Sequence, residues 1–229
     1  MAAQERDADE AVIVMRSLDS ITFDTTGCML RGDSEGARVW HTPSGDGLGL
    51  YYYPISPDIQ ANIDAIDQVR GFYRRSAVQV GGAIIEIDTP RIDGCKSIRS
   101  IIKMPQQPAG MTYLGSFTLP FQYFSYVVKV QCVETGMTGI RDSVVLHAML
   151  NSGEVTIGKN GELQGWMLDP YDGSATSALA RNKSEAEQYD ANFPEHPLSR
   201  VRRLLRQIQL TRKVGNDIKR QPAFDFKAP

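Results

Sequence analysis

Apolar and polar positions alternate most clearly between residues 124 and 133. On one side of this run lie Phe124, Tyr126, Val128, Val130 and Cys132. A period of two is typical of a β-strand with one buried face. Three more β-rich runs precede it, separated only by short turn segments: Gly82 to Asp88, Ser97 to Met104 and Thr112 to Leu119. Because such short connections leave no room for crossover helices, the four runs are predicted to pair as an antiparallel meander.

Shorter β-like runs occur nearer the start of the chain, where glycines and turn residues interrupt the pattern. They are Ala11 to Met15, Ser20 to Asp24, Ala37 to His41 and Leu48 to Tyr53. Runs of this length between turn signals favour strands. The sequence therefore predicts a β region ahead of the meander.

Helical spacing appears in four places. Ser56 and Pro57 suit the start of a helix that extends to Ala77 and carries isoleucines at 59, 63 and 66. A second helix is predicted from Thr138 to Leu150, and a capping-box pattern at Ser184 and Glu187 predicts a third. A final helix over residues 197–212 has one apolar stripe: Leu198, Val201, Leu204, Leu205 and Ile208.

The composition is that of a globular chain, with 229 residues of which 41% are hydrophobic and 23% charged. We expect an α+β core domain over residues 1–152 and a loop-rich connection over 153–182. A C-terminal helical extension packed on the core is expected over 183–220, followed by a tail over 221–229. The fold class predicted is an antiparallel β-sheet meander covered by helices.

This order of elements, over residues 11–152, resembles the Mog1/PsbP-like α/β/α sandwich. The chain is also similar to uncharacterised bacterial proteins that combine such a core with a proline-containing, arginine-rich end like residues 190–200. The resemblance implies a non-enzymatic binding protein, such as an accessory, adaptor or immunity-type factor, because members of the Mog1/PsbP-like group act mostly as binding or assembly factors.

Positive charge is concentrated near the C-terminus. Residues 197–220 contain eight Lys and Arg against Asp217 alone, in a chain of net charge −2. Such a run indicates either an anionic partner or pairing with the acidic remainder of the same molecule. If the apolar stripe of the final helix faces inward, we expect Arg202, Arg206 and Lys213 to point outward and bind an acidic protein partner. Nucleic acid is disfavoured, since no aromatic residues are interleaved with the basic ones and no reader motif is present.

An enzymatic alternative rests on Cys95 and His147. Cys95 lies in a polar turn beside Lys96, which could lower the pKa of its thiol, and His147 could act as base in a small hydrolase or transferase. No nucleophile signature such as G-x-S-x-G is present, so a structural role is favoured for all three cysteines. We expect no metal or organic cofactor, because the cysteines and histidines lack zinc spacing and calcium loops need more oxygen ligands.

Four other motifs favour structural roles over chemistry. The glycine-rich segment 45–49 leads into a strand rather than a helix, so a turn is favoured over a phosphate site. Residues 134–139 run from strand to helix but lack the lysine of a P-loop. Asp169 and Asp172 suit a turn, and Glu86 with Asp88 has no second feature that supports acid–base work.

No apolar run approaches the roughly 20 residues that a membrane helix needs. The first ten residues are acidic where a signal peptide would be basic and then apolar. The sequence therefore predicts a cytoplasmic protein without a membrane partner.

Overall fold

A computed structural model describes residues 17–173 and 179–226, and its central element is a seven-stranded antiparallel sheet. The strands are β1 (Met29–Asp33), β2 (Ala37–His41), β3 (Gly47–Tyr53), β4 (Ala83–Asp88), β5 (Ile98–Pro105), β6 (Met111–Pro120) and β7 (Ser125–Val133). Their order across the sheet is β1-β2-β3-β7-β6-β5-β4. The predicted antiparallel meander is confirmed, because β4 to β7 are neighbours in chain order.

The alternation that predicted β7 also sets the faces of the sheet. Val128 lies opposite Phe117 on β6 and Leu50 on β3, and all three side chains are buried. The remaining inward positions of the predicted run are buried as well. Lys129 and Gln131, on the other face, are exposed. One face of the central strands is therefore continuous core.

The four helices are α1 (Ile66–Gln79), α2 (Ile140–Ser152), α3 (Pro197–Thr211) and α4 (Asn216–Lys219). The predicted helix start at Ser56 is wrong by ten residues. Ile59 and Ile63 are buried, but as anchors of an irregular segment that ends in an Asx-type turn, in which Asn62 accepts a hydrogen bond from the Asp64 amide. Two isoleucines four positions apart are therefore both buried here, although the segment is not helical.

Two helices cover opposite faces of the sheet. α1 packs with Ile84, Ile87 and Ile98 on one face, whereas α3 places its apolar stripe on the other, against β6 and β7. The inward stripe predicted for the final helix is confirmed, with Leu198, Val201 and Leu205 fully buried. The architecture is an α+β fold in which helix, sheet and helix form three layers, with a helical C-terminal part.

α2 lies away from the sheet and packs on the segment that precedes α3. Val145 and Met149 form a small core with Val155 and Trp166, which Tyr189 and other partly buried residues adjoin. α2 begins two residues after the predicted cap at Thr138, following Gly139 in the left-handed region. The capping box predicted at Ser184 and Glu187 is also misplaced.

The observed capping box is formed by Asn182 and Glu185, which start a short 3-10 turn at Lys183–Glu185. Ser184 instead donates its hydroxyl to Asp142 of α2. The loop-rich region contains a short hairpin, in which Thr156–Ile157 pairs with Leu163–Gln164. Of the early β runs, the stretch from Ser20 pairs through Ile21–Thr22 with Lys213–Val214, and residues 11–15 lie outside the described residues.

Within the described ranges, no helix is both long and apolar enough to cross a lipid bilayer.

Candidate binding site

The outer side of α3 carries the exposed part of the basic region. Arg203, Arg206 and Leu210 are spaced by three and four residues, which places them on one side of the helix, and Lys213 follows just beyond its end. All four are exposed, and Leu210 retains 79% of its accessible surface. We call these four residues the basic face. Arg206 and Lys213 therefore lie where the sequence predicted them.

Arg202 does not belong to this face, and the expectation that it points outward is wrong. Its side chain is only 3% exposed and donates to Glu86 on β4 at 2.6 Å and to Asp190 at 2.8 Å. Arg202 lies four residues after Leu198 and three before Leu205, so helical geometry turns it toward the sheet with the apolar stripe. Two carboxylates beneath the helix make that position suitable for an arginine.

Arg202 is part of a buried chain of charges between α3 and the sheet. Asp190 accepts from Arg202 and also from Arg141, whose side chain is fully buried in α2. Glu86 accepts from Arg202 and from Arg99 on the neighbouring strand. Burial raises the pKa of Glu86, but the two guanidinium groups outweigh it and leave the pKa lowered. Glu86 is therefore ionised, and it forms structural ion pairs with two arginines.

Two further ion pairs are buried in the protein. Arg200 forms a bidentate pair with Asp46, which is buried in the turn before β3, at 3.0 Å. Lys103 contacts Glu185 at 2.8 Å, and Tyr113 donates its hydroxyl to the same carboxylate. The sequence left open whether the basic run meets a partner or its own molecule. For its inner members, Arg200 and Arg202, the structure shows pairing within the molecule.

His196 caps α3 at the end of this charged layer. Its Nδ1 accepts a hydrogen bond from the Leu198 amide, and its ring packs edge-on against Tyr113. Burial lowers the pKa of His196 to about 3, with added repulsion from Arg141 and two other arginines. The imidazole is therefore neutral at pH 7 and serves as a helix cap.

The residues of the enzymatic alternative lie in separate surroundings. Cys95 is half-buried in a two-residue ladder with Ile92, and burial raises the pKa of its thiol. His147 is exposed on α2, where its Nε2 is 3.1 Å from Asn151. The structure thus gives Cys95 the opposite of the lowered pKa that a nucleophilic thiol requires.

The carboxylates of two candidate loop motifs form hydrogen bonds with other residues of the same chain. In the segment 134–139 the carboxylate of Glu134 accepts from the Gly139 amide at 2.7 Å and from the Met111 amide at 3.1 Å. Asp169 accepts two hydrogen bonds at 2.8 Å from Arg74 of α1, together with amides of its own turn. These carboxylates fasten loops to the body of the protein.

Sequence reasoning missed Asp46, Arg141 and Asp190. A signal existed for Arg141, because Arg141, Val145 and Met149 recur every four residues and all three are buried. An arginine in step with apolar residues on a helix indicates a buried cation. Asp46 and Asp190 lie in turns, where carboxylates are common, so nothing in their local sequence distinguishes them. Over residues 17–173 and 179–226, no group of three or more His, Cys, Asp or Glu is arranged to hold a metal ion.

Comparisons with known proteins add little to this description. No protein-family model matches the sequence, and no curated protein matches it. Among solved structures, a crystal structure from Bacteroides thetaiotaomicron aligns with 55% of this chain and 42% of its own, at 9% identity and a TM-score of 0.29. The chain thus spans less than half of that protein. A similarity at this level assigns neither a fold family nor a function.

Proposed function

We propose that this chain is a non-enzymatic binding protein that contacts an acidic protein partner through the basic face. The observation that carries the proposal is the 79% exposure of Leu210 on α3, near Arg203 and Arg206 of the same helix and Lys213 just beyond its end, while the other side of α3 packs on the sheet. The resemblance of the element order to the Mog1/PsbP-like group, whose members act mostly as binding or assembly factors, supports this role.

The cations of the basic face are available for a partner. Among the described residues, Arg203 donates only to the carbonyl of Pro194, and Lys213 has no carboxylate partner. Arg206 pairs with Glu187, but both side chains are at least 60% exposed, and such surface pairs contribute little stability. Exchange of Glu187 for a partner's carboxylate therefore costs little.

The arrangement favours protein over nucleic acid as the occupant. Arginine binds carboxylates through two parallel hydrogen bonds, and it is enriched with apolar residues at protein interfaces. Binding of single-stranded nucleic acid would use aromatic side chains for stacking, and the basic face has none. Leu210 supplies the apolar contact that carboxylate recognition alone would lack.

The proposal is tested with a photoreactive residue at position 210, used to capture a partner in cells, with position 137 as a control of equal exposure. The captured protein is then purified, and its affinity is measured for the parent and for Arg203→Glu combined with Arg206→Glu. We expect the double reversal to weaken binding by at least roughly tenfold at low salt, since opposite charges at the interface become like charges.

The matched control is Arg31→Glu combined with Arg75→Glu, which changes the net charge equally at exposed positions elsewhere. This variant should bind as the parent does. Equal affinity of the parent and the α3 variant at low salt would contradict the proposal. Binding of duplex DNA with a steep dependence on salt would also contradict it.

The thiol-dependent alternative has no comparable support, because burial raises the pKa of Cys95 and His147 faces solvent on a different element. We also propose a cytoplasmic location. All three cysteines are unpaired, with Cys132 buried in the core, and unpaired thiols are typical of reducing compartments.

A further inference from the structure

A cavity of about 450 Å³ lies on the face of the sheet that α1 covers only in part. α1 contacts mainly the edge strand β4, so the central strands on this face lack a helix above them. The segment 57–59 and the rings of Phe72 and Tyr73 close one side of the cavity, and β5, β6 and β7 form its floor. We call this space the sheet cavity.

The floor of the sheet cavity combines apolar side chains with hydroxyl groups. Ile102, Leu114 and Val127 supply the apolar surface, while Ser100 and Ser116 bond to each other at 2.7 Å across two strands. A volume of this size, mostly apolar and with a few polar groups, is typical of small-molecule sites. Small side chains at central positions of the sheet leave the space open.

Lys129 provides one charged group of the cavity wall and is held in an aromatic cradle. Its Nζ lies 5.1 Å from the centre of the Tyr51 ring, 6.0 Å from that of Tyr53 and 3.5 Å from the Tyr53 hydroxyl. The residue opposite Lys129 on β3 is Gly49, where a Cβ would come within 2.6 Å of the Tyr51 ring. The glycine thus gives the ring room to lie over the strand.

Lys129 also lacks a carboxylate partner among the described residues. The aromatic rings orient its ammonium group through cation–π attraction but do not neutralise its charge. The other charged residue of the cavity wall is Asp58, which is exposed and belongs to the irregular segment before α1 rather than to the sheet. An anionic ligand is therefore favoured beside Lys129 in the sheet cavity.

We propose that the sheet cavity binds a small amphiphilic carboxylate, separately from the protein contact on α3. The carboxylate would pair with Lys129 and accept a hydrogen bond from the Tyr53 hydroxyl. The hydrocarbon part would lie on Leu114 and Val127 and against Phe72 of α1. This ligand class satisfies both properties of the site, an unneutralised cation at one side and apolar walls around it.

The test compares three probes that share one hydrocarbon chain: octanoate, octan-1-ol and octylammonium. Binding is measured by titration calorimetry and located by NMR shifts of the Leu114 and Val127 methyl groups. We expect octanoate to bind with a Kd below about 1 mM and at least roughly tenfold more tightly than octanol, because an ionic hydrogen bond adds to apolar burial. Octylammonium should bind more weakly than octanol.

Lys129→Met should lower octanoate affinity to that of octanol or below it, because the carboxylate then lacks a cation, and should leave octanol binding unchanged. The matched control, Lys159→Met, removes an exposed lysine that does not line the cavity and should change neither. Ser116→Leu should abolish binding of both probes by filling the floor, with an unchanged melting temperature as evidence of folding. Failure of octanoate to bind overturns the proposal, as does equal affinity for octanol, tighter binding of octylammonium at Asp58, or an unaffected Lys129→Met variant.

Discussion

Arg202 and Arg206 lie one helical turn apart and contribute to the molecule in different ways. Arg202 is buried between Glu86 and Asp190, whereas Arg206 is exposed. Removal of one member of a buried charge cluster leaves uncompensated carboxylates, so Arg202→Met should lower the free energy of unfolding by about 3–5 kcal/mol. Arg206→Met should change it by less than about 0.5 kcal/mol. Urea denaturation measures both, and similar losses would contradict the assignment.

His196 should make stability depend on pH. Its pKa is about 3 in the folded protein against an ordinary value of 6.5. The unfolded chain therefore takes up a proton as the pH falls below 6.5 while the folded protein does not, and stability is lost over that range down to about pH 3. Linkage gives a loss of about 2 kcal/mol from this residue between pH 7 and pH 5.

The variant His196→Asn isolates this effect, because asparagine also caps helices but does not titrate. Between pH 7 and pH 5 the parent should lose about 2 kcal/mol more unfolding free energy than the variant, as measured by denaturant titration at both pH values. An identical pH dependence of parent and variant would show that the imidazole of His196 protonates freely in the folded state.

Some of these residues could be predicted from the sequence, and others could not. The burial of Val128 and Cys132 followed from a period of two, which is a local property of the chain. The burial of Arg202 depends on Glu86, more than a hundred positions away, and on Asp190. Side-chain charge indicates exposure on average, and only the tertiary partners reverse that expectation.

Among the secondary-structure elements, the contact of α3 with the sheet is specified by a glycine. A Cβ at Gly115 of β6 would lie 2.7 Å from Val201 and 2.8 Å from Leu205. Gly115→Ala should therefore force α3 outward and cost about 1–3 kcal/mol. Gly32→Ala on the edge strand β1, where nothing lies within 4 Å, is the matched control and should be nearly neutral. Equal thermal shifts of the two variants would contradict this packing.

The largest error in an element boundary, the predicted helix start at Ser56, has a physical cause. Residues 56–65 combine a capping serine, an early proline and isoleucines four apart, all of which suit a helix. The structure instead anchors this segment by burying Ile59, Ala61 and Ile63 against α1 and the sheet. Burial in the core stabilises apolar residues in an irregular segment as well as in a helix. The spacing of apolar residues alone therefore does not distinguish an irregular segment from a helix.

At the scale of the whole molecule, α3 is part of the main hydrophobic core. Its stripe shares one cluster of buried residues with the central strands, and Arg200 and Arg202 neutralise carboxylates of the sheet region. We predict that a chain ending at residue 182 does not unfold cooperatively, since it exposes that face and leaves Asp46 unpaired. Circular dichroism during urea titration measures this, and a sharp transition would show that the sheet folds alone.

Some features of the candidate site could be predicted from nearby residues in the sequence, and others depend on residues far away in the chain. The concentration of basic residues after 197 is visible in the sequence and led to Arg206 and Lys213. Which of the basic residues face outward depends on where Glu86, Asp46 and Asp190 lie beneath α3. The sheet cavity was not predictable, because it results from the partial cover that α1 gives to one face.

The pair between Asp46 and Arg200 joins residues 154 positions apart and has a consequence for how the protein is made. Ribosomes add roughly 5–20 residues per second, so roughly 8–30 seconds separate the synthesis of these two side chains. During that interval Asp46 lacks its arginine, and the sheet face that α3 will cover is exposed. We therefore expect the nascent chain to bind chaperones through this apolar face until α3 has been synthesised and can pack on it.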